Sequence, residues 1–208
     1  MDAKKGTTTV GIVGKDYVIL AADKLASMGD LEADRRTQKV YPISDHMAMT
    51  TAGLVGDAQL LVRFLKTKIN RMKIEDGKEP SGKRVATLLG TMLNSTKYMP
   101  YMVQLLLGSY VEEPIVYSID AAGGIGYEKR FTATGSGSPV AYGALEAGYK
   151  EGMSEKEAIK LAITAVETAR RRNVYTGGEE PGIDVAVITK DGVRMLTEEE
   201  VAKIKKSL

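Results

Sequence analysis

Cysteine and tryptophan are absent from the 208 residues, and there is a single histidine, His46. The lack of cysteine excludes disulfides, thiolate metal sites and cysteine nucleophiles. With one histidine, a His-rich metal site is excluded, and any Ser-His-Asp site would have to run through His46. Charge of one sign is also lacking: 29 Lys and Arg face 27 Asp and Glu, a formal net charge of +2. That balance implies no nucleic-acid or polyanion partner. The longest apolar run, Tyr101 to Leu107, is interrupted by Gln104 and falls far short of the roughly 20 residues that span a bilayer. The opening Met1-Asp-Ala-Lys-Lys-Gly6 has no apolar stretch, so no secretory signal is expected. These absences point to a cytoplasmic protein with neither membrane nor nucleic acid among its partners.

What is present suits one globular domain. At about 150 residues per domain the length allows one, perhaps elaborated, and 43% hydrophobic content can fill its core. The 22 glycines predict many tight turns. Thr7 to Val13 and Tyr17 to Ala22 are β-branched and apolar around Gly14-Lys15-Asp16, which predicts an antiparallel hairpin. Residues 29–40 suggest an irregular hairpin. Val40–Ile43 and Met47–Ala52 are further strands, turning at Ser44-Asp45-His46. Leu60, Leu61, Phe64, Leu65 and Ile69 recur at helical spacing until Asp76-Gly77. Ser81 to Met99 is a second helical pattern, stopped by Pro100. Strands resume at Met102–Leu107, Ile115–Asp120 and Lys129–Thr134, with Gly123-Gly124-Ile125-Gly126 as turn material and Met99–Met102 expected in the core. Ser138–Gly148 is a third helix. Ser154-Glu-Lys-Glu157 is a capping box that opens a fourth, to about Arg172. Ile183–Thr189 and Val193–Leu196 form a hairpin around Asp191-Gly192, and Thr197-Glu-Glu-Glu200 caps a short final helix. Strands and helices come in runs, not in βαβ alternation, which predicts an α+β fold with antiparallel sheets.

Without cysteine, a nucleophile must be Ser, Thr, Lys or a carboxylate, and its base a Lys, a carboxylate or a terminal amine. Thr7 follows Gly6 at the start of the first strand. A hairpin centred on Lys15 sets Thr7 opposite Asp23; a two-residue turn moves the pairing by one. A chain cut between Gly6 and Thr7 would give Thr7 a free α-amine beside its hydroxyl. Such an amine, with a pKa of about 7.7–8.0, is about a tenth to a fifth free base at pH 7; a nearby cation that lowers it by about one unit makes roughly half available. Equally, Thr7-Thr8-Thr9 are ordinary strand formers, Asp23-Lys24 a solvated pair and Lys39 one lysine among many. Gly53-Leu-Val-Gly56 offers backbone N–H groups to an oxyanion, or only close helix packing. Thr134-Gly-Ser-Gly-Ser138 resembles a phosphate cradle but lacks the Gly-Lys-Ser/Thr ending, so a nucleotide-binding module is a weak alternative. Arg170-Arg-Arg172 closes a helix, where cations suit the dipole. His46 sits in a turn and needs no function.

Six stretches occur together in order: Thr7-Thr-Thr-Val-Gly-Ile, Ala21-Ala-Asp-Lys24, Met49-Thr-Thr-Ala-Gly-Leu-Val-Gly-Asp57, Lys97-Tyr-Met-Pro-Tyr-Met-Val-Gln104, Ser118-Ile-Asp-Ala-Ala-Gly-Gly124 and Ala133-Thr-Gly-Ser-Gly-Ser-Pro139. From about Gly6 to the C-terminus the chain resembles the β subunits of archaeal 20S proteasomes. The resemblance implies a four-layer αββα sandwich of the N-terminal nucleophile hydrolase type, with residues 1–6 a short propeptide and 7–208 the peptidase domain. It implies self-cleavage at Gly6-Thr7, with Thr7 as nucleophile and its amine as proton shuttle. It casts Lys39 as the active-site cation, Asp23 as the group that orients it, the Gly53 amide as the oxyanion hole and Ser136 as a supporting serine. The specificity pocket would be lined by Ala26, Thr37, Tyr41, Thr51 and Val55, with cleavage after apolar residues. No metal or cofactor is implied. The implied partners are other β subunits in a heptameric ring, flanking α rings, a regulatory ATPase acting through them, and unfolded polypeptide as substrate. Three departures stand out. Asn173 replaces an aspartate of the family's supporting network, Thr176 replaces a serine, and Leu25 stands where many relatives carry arginine. They motivate an alternative, a non-catalytic structural subunit of the same ring.

Overall fold

A computed structural model describes residues 6–208. In chain order the elements are β1 (Thr9–Val13), β2 (Val18–Asp23), β3 (Ala26–Met28), β4 (Leu31–Asp34), β5 (Val40–Pro42) and β6 (Met47–Gly53). Helices α1 (Val55–Asp76) and α2 (Gly82–Ser95) follow, then β7 (Val103–Ser109), β8 (Ile115–Ile119), β9 (Ile125–Glu128) and β10 (Phe131–Thr134). The chain closes with α3 (Ser138–Gly148), α4 (Glu155–Arg170), β11 (Ile183–Thr189), β12 (Gly192–Met195) and α5 (Glu198–Lys205).

The strands form two five-stranded sheets, ordered β10-β1-β2-β11-β12 and β5-β6-β7-β8-β9, with β3-β4 as a separate ribbon. Among the described residues the strand pairings are antiparallel. Period-two alternation sends successive side chains to opposite faces. Ile19, Ala21, Val185 and Val187 pack under α3 and α4, while Val18, Leu20, Ala22, Ala186 and Ile188 meet Val40, Ala48, Leu106 and Val116 of the other sheet. The outer face of that second sheet, through Met47, Met49, Leu105 and Leu107, packs on Leu61, Leu65 and Ile69 of α1 and Val85, Leu89 and Leu93 of α2. The result is four layers, helix–sheet–sheet–helix, and explains why β1 and β2 are buried on both faces.

The helix ends follow local chemistry. Both Ser154–Glu157 and Thr197–Glu200 form reciprocal capping boxes. Gly77 closes α1 in the left-handed region at φ 67°. Four expectations need correction. Helix α2 stops at Ser95, where Thr96 N–H turns back to the Leu93 carbonyl, so Pro100 is not what ends it. Residues 125–128 are a strand, not a turn; Gly126 packs closely there, since a Cβ would sit 2.3 Å from the present position of Ser118 Oγ on β8. The irregular hairpin is β3-β4, and so begins and ends before the 29–40 stretch does. Met99 is not core: it is 88% exposed in the turn after α2, and Met102 is half-buried, held through its backbone N–H by Asp57.

Candidate active site

Thr7 lies just ahead of β1. The β1–β2 turn is the two-residue one: Val13 pairs with Val18 and Thr9 with Ala22, which sets Thr8, not Thr7, opposite Asp23. Thr8 N–H donates to Asp23 Oδ1 at 2.7 Å, and Asp23 N–H to the Thr8 carbonyl at 3.2 Å. The Asp23 carboxylate is fully buried and takes two more backbone donors on Oδ2, Leu25 N–H at 3.1 Å and Gly177 N–H at 3.0 Å. Lys39 enters from the residue before β5. Its Nζ is 3.1 Å from each Asp23 oxygen and donates to Thr7 Oγ1 at 3.0 Å. The Thr7 hydroxyl in turn donates to the carbonyl oxygen of Gly6, which lies 3.5 Å from Lys39 Nζ. One buried cation therefore touches a carboxylate, a hydroxyl and the carbonyl of the preceding peptide bond.

The electrostatics are those of a desolvated ion pair. Burial pushes the Lys39 ammonium below the usual lysine range; the carboxylates of Asp23 and Asp184 oppose it. Gly53 sits at the end of β6 with φ 125°, where a Cβ would be 1.9 Å from the Met102 carbonyl oxygen. Only glycine fits, and its backbone lines two cavities that meet at Thr7. The larger, about 580 Å³, is walled by Gln104, Asp120, Gly135 and Ser136. The smaller, about 280 Å³, is lined by all five predicted pocket residues, Ala26, Thr37, Tyr41, Thr51 and Val55, and also by Gly6.

Ser136, Asn173 and Thr176 meet on a single oxygen. Asn173 Oδ1 accepts from Ser136 Oγ at 3.2 Å, Thr176 Oγ1 at 3.2 Å and Tyr175 N–H at 2.9 Å. Thr176 Oγ1 also bonds Thr8 Oγ1 at 2.7 Å, which ties this cluster to the strand that carries Thr7. Leu25 is buried at the edge of the smaller cavity. The Gly135–Ser138 turn is not a free anion cradle: Gly135 N–H donates to Gln104, Gly137 N–H to the Thr7 carbonyl and Ser138 N–H to Gly135. Arg170 is spent on Glu167 and Glu180, and His46 bridges Glu79 and the Lys190 carbonyl, far along the chain from these residues. The sequence reading missed Thr8, Gly177 and Asp184. Only Asp184 left a trace, a lone charge in the apolar run Ile183–Ile188.

Among the described residues no group of three His, Cys, Asp or Glu side chains is placed to hold a metal, and no helix is long and apolar enough to cross a membrane.

Two antiparallel sheets stacked between helix layers, with the candidate threonine at the head of an inner strand, define the fold of the N-terminal nucleophile hydrolases. A family model described as proteasome subunit matches residues 3–188. The chain is 50% identical to the proteasome subunit beta of Methanocaldococcus fervens over 206 residues, 98% of this chain and 91% of that protein. Identity is 49% to the proteasome subunit beta of Archaeoglobus profundus, covering 98% and 94%, and 48% to the proteasome subunit beta 2 of Thermococcus gammatolerans, covering 93% and 95%. The chain belongs to the proteasome subunit family, as a β subunit of archaeal type.

Proposed function

We propose that the chain is the threonine endopeptidase subunit of a proteasome core, with Thr7 as the nucleophile after self-cleavage at Gly6-Thr7. The observation that carries this is the position of Lys39 Nζ between Asp23 and Thr7 Oγ1, with the Thr7 hydroxyl on the Gly6 carbonyl. Oγ1 is already at the bond to be cut. Its attack on the Gly6 carbonyl carbon breaks the Gly6–Thr7 amide, forms an ester and delivers the hydroxyl proton to the departing nitrogen. Water then hydrolyses the ester and frees residues 1–6. Gly6 suits the bond, because a Cβ there would lie 2.2 Å from Tyr175 Cβ.

For a substrate peptide, Thr7 Oγ1 adds to the carbonyl while the Thr7 amine takes its proton and passes it to the leaving amine; water then hydrolyses the resulting ester, releasing the acyl half as a carboxylate and restoring Thr7. Lys39, kept charged by Asp23, holds the amine's pKa down and steadies Oγ1. The Gly53 amide faces the developing oxyanion. Because Gly6 is the acyl partner of the first cut, the cavity it shares is the acyl-side pocket. Apart from Lys39 its lining carries no charged side chain, and with Thr51 buried it favours apolar residues. The working assembly is a heptameric β ring stacked on α rings in the cytoplasm, fed unfolded polypeptide by a regulatory ATPase.

A second reading, a non-catalytic ring subunit, is favoured by Asn173, which brings no charge to the Ser136–Thr176 cluster. The intact mass of the chain, purified after assembly with its α partner, separates the two. Loss of residues 1–6 supports the peptidase; a full-length chain in an assembled particle refutes it.

A further inference from the structure

Asp184 occupies a place where an apolar side chain is expected. It lies on β11, on the face that carries Ala186 and Ile188 into the layer between the sheets, and its Cα partner is Ala22 of that same layer. A carboxylate on such a face costs free energy unless it is paired and hydrogen-bonded. Both conditions are met, and both lead to the active site. Asp184 Oδ2 accepts the backbone N–H of Lys39 at 3.4 Å. Its Oδ1 lies 3.5 Å from Lys24 Nζ, one residue beyond Asp23, and Lys24 Nζ is also 3.1 Å from Glu198 in the first turn of α5. The Lys24 carbonyl accepts Thr37 N–H at 3.1 Å, which aligns the Lys24 and Lys39 segments.

We propose that Asp184 is a positioning residue for Lys39. Its carboxylate anchors the backbone from which Lys39 rises and contributes negative charge that favours the ammonium, while Lys24, held by Glu198, moderates that charge. This rests on the reading of Lys39 as the active-site cation. The groups that face Lys39 are Asp23 from β2, Asp184 from β11 and the Thr7 hydroxyl; those that face Asp184 are Lys24, with Glu198 behind it, and the Tyr41 phenol. Burial pushes the Asp184 carboxyl up, against Lys24 and the Lys39 N–H.

The test is the pH profile of kcat/KM for a fluorogenic peptide, measured on assembled particles carrying wild-type chain, Asp184→Asn or Lys24→Met. Asparagine keeps the shape and an acceptor oxygen for the Lys39 N–H but removes the charge. The alkaline limb should move to lower pH by about half a unit to one unit in Asp184→Asn. It should move the opposite way in Lys24→Met, with KM unchanged in both. A merely structural role would lower kcat/KM equally at every pH. That result, or an unmoved limb in either variant beside an active wild-type particle, overturns this proposal alone. A wild-type particle that keeps residues 1–6 and hydrolyses nothing overturns the peptidase reading and this proposal with it.

Discussion

Removing either member of the Asp23–Lys39 pair should abolish self-cleavage, but the two losses should differ in stability. In Asp23→Asn the ammonium of Lys39, itself 4% exposed, loses its directly paired carboxylate and keeps the Thr7 hydroxyl, the Gly6 carbonyl and an amide oxygen as contacts, with Asp184 as the remaining nearby charge. Breaking a buried pair in this way costs about 3–5 kcal/mol. The amide also turns an NH2 group toward backbone donors, because Thr8, Leu25 and Gly177 all point N–H groups at the carboxylate. In Lys39→Met the carboxylate retains those three donors, which are charge-assisted and therefore strong. Asp23→Asn should then be about 2 kcal/mol more destabilising than Lys39→Met. With a urea slope of about 2 kcal/mol/M, the unfolding midpoints should differ by about 1 M. The double variant should be no less stable than Asp23→Asn alone, since methionine removes the stranded charge. Urea unfolding of the three full-length variants, followed by circular dichroism at neutral pH, reads this directly. A midpoint for Lys39→Met at or below that of Asp23→Asn would show that the three backbone donors do not compensate the carboxylate.

Four further outcomes follow from the geometry. Gly53→Ala should cost several kcal/mol and disrupt the β6–α1 corner, since it forces a Cβ onto the Met102 carbonyl; thermal unfolding measures it. Asn173→Leu should cost about 1 kcal/mol, chiefly by depriving the Tyr175 N–H of its acceptor, whereas Asn173→Asp, which accepts all three bonds, should stay close to wild type in the urea assay. Thr51→Met should shrink the 280 Å³ cavity and move cleavage toward smaller acyl-side residues, read by mass spectrometry of digests of a denatured protein. Glu79 raises the pKa of His46, so their contact stabilises the fold below the unfolded pKa of about 6.5 and loses that effect as pH rises through the folded value. The stability gap between wild type and His46→Gln should therefore be largest in mildly acidic buffer and close under alkaline conditions.

The α+β class with antiparallel sheets was legible because its signals are local, whereas the four-layer stacking was implied only by the family resemblance. Apolar runs buried on both faces, two capping boxes and the absence of βαβ alternation all survive without tertiary knowledge. Strand β9 was not legible, because its glycine reads as a turn until Ser118 is known to press against it. At the site, Thr7, Asp23 and Lys39 drew notice through a short motif and its resemblance. The register that puts Thr8 against Asp23 depended on one residue of turn length. Gly177 contributes only a backbone N–H, from 154 positions away, and no side-chain pattern reports that.

The backbone tethers at the head of β1 lie on the C-terminal side of the Gly6–Thr7 bond proposed to be cut. Gly137 holds the Thr7 carbonyl, while Asp23 and Thr176 hold Thr8, and both threonines are buried. None of these bonds involves residue 6. A newly made chain end usually frays; this one would emerge already seated, its ordering entropy of about 1–2 kcal/mol per residue spent when the strand first paired. Maturation would then be a change of charge without a change of shape. Release of the leader and the appearance of a reactive terminus should follow one time course, with no lag between them.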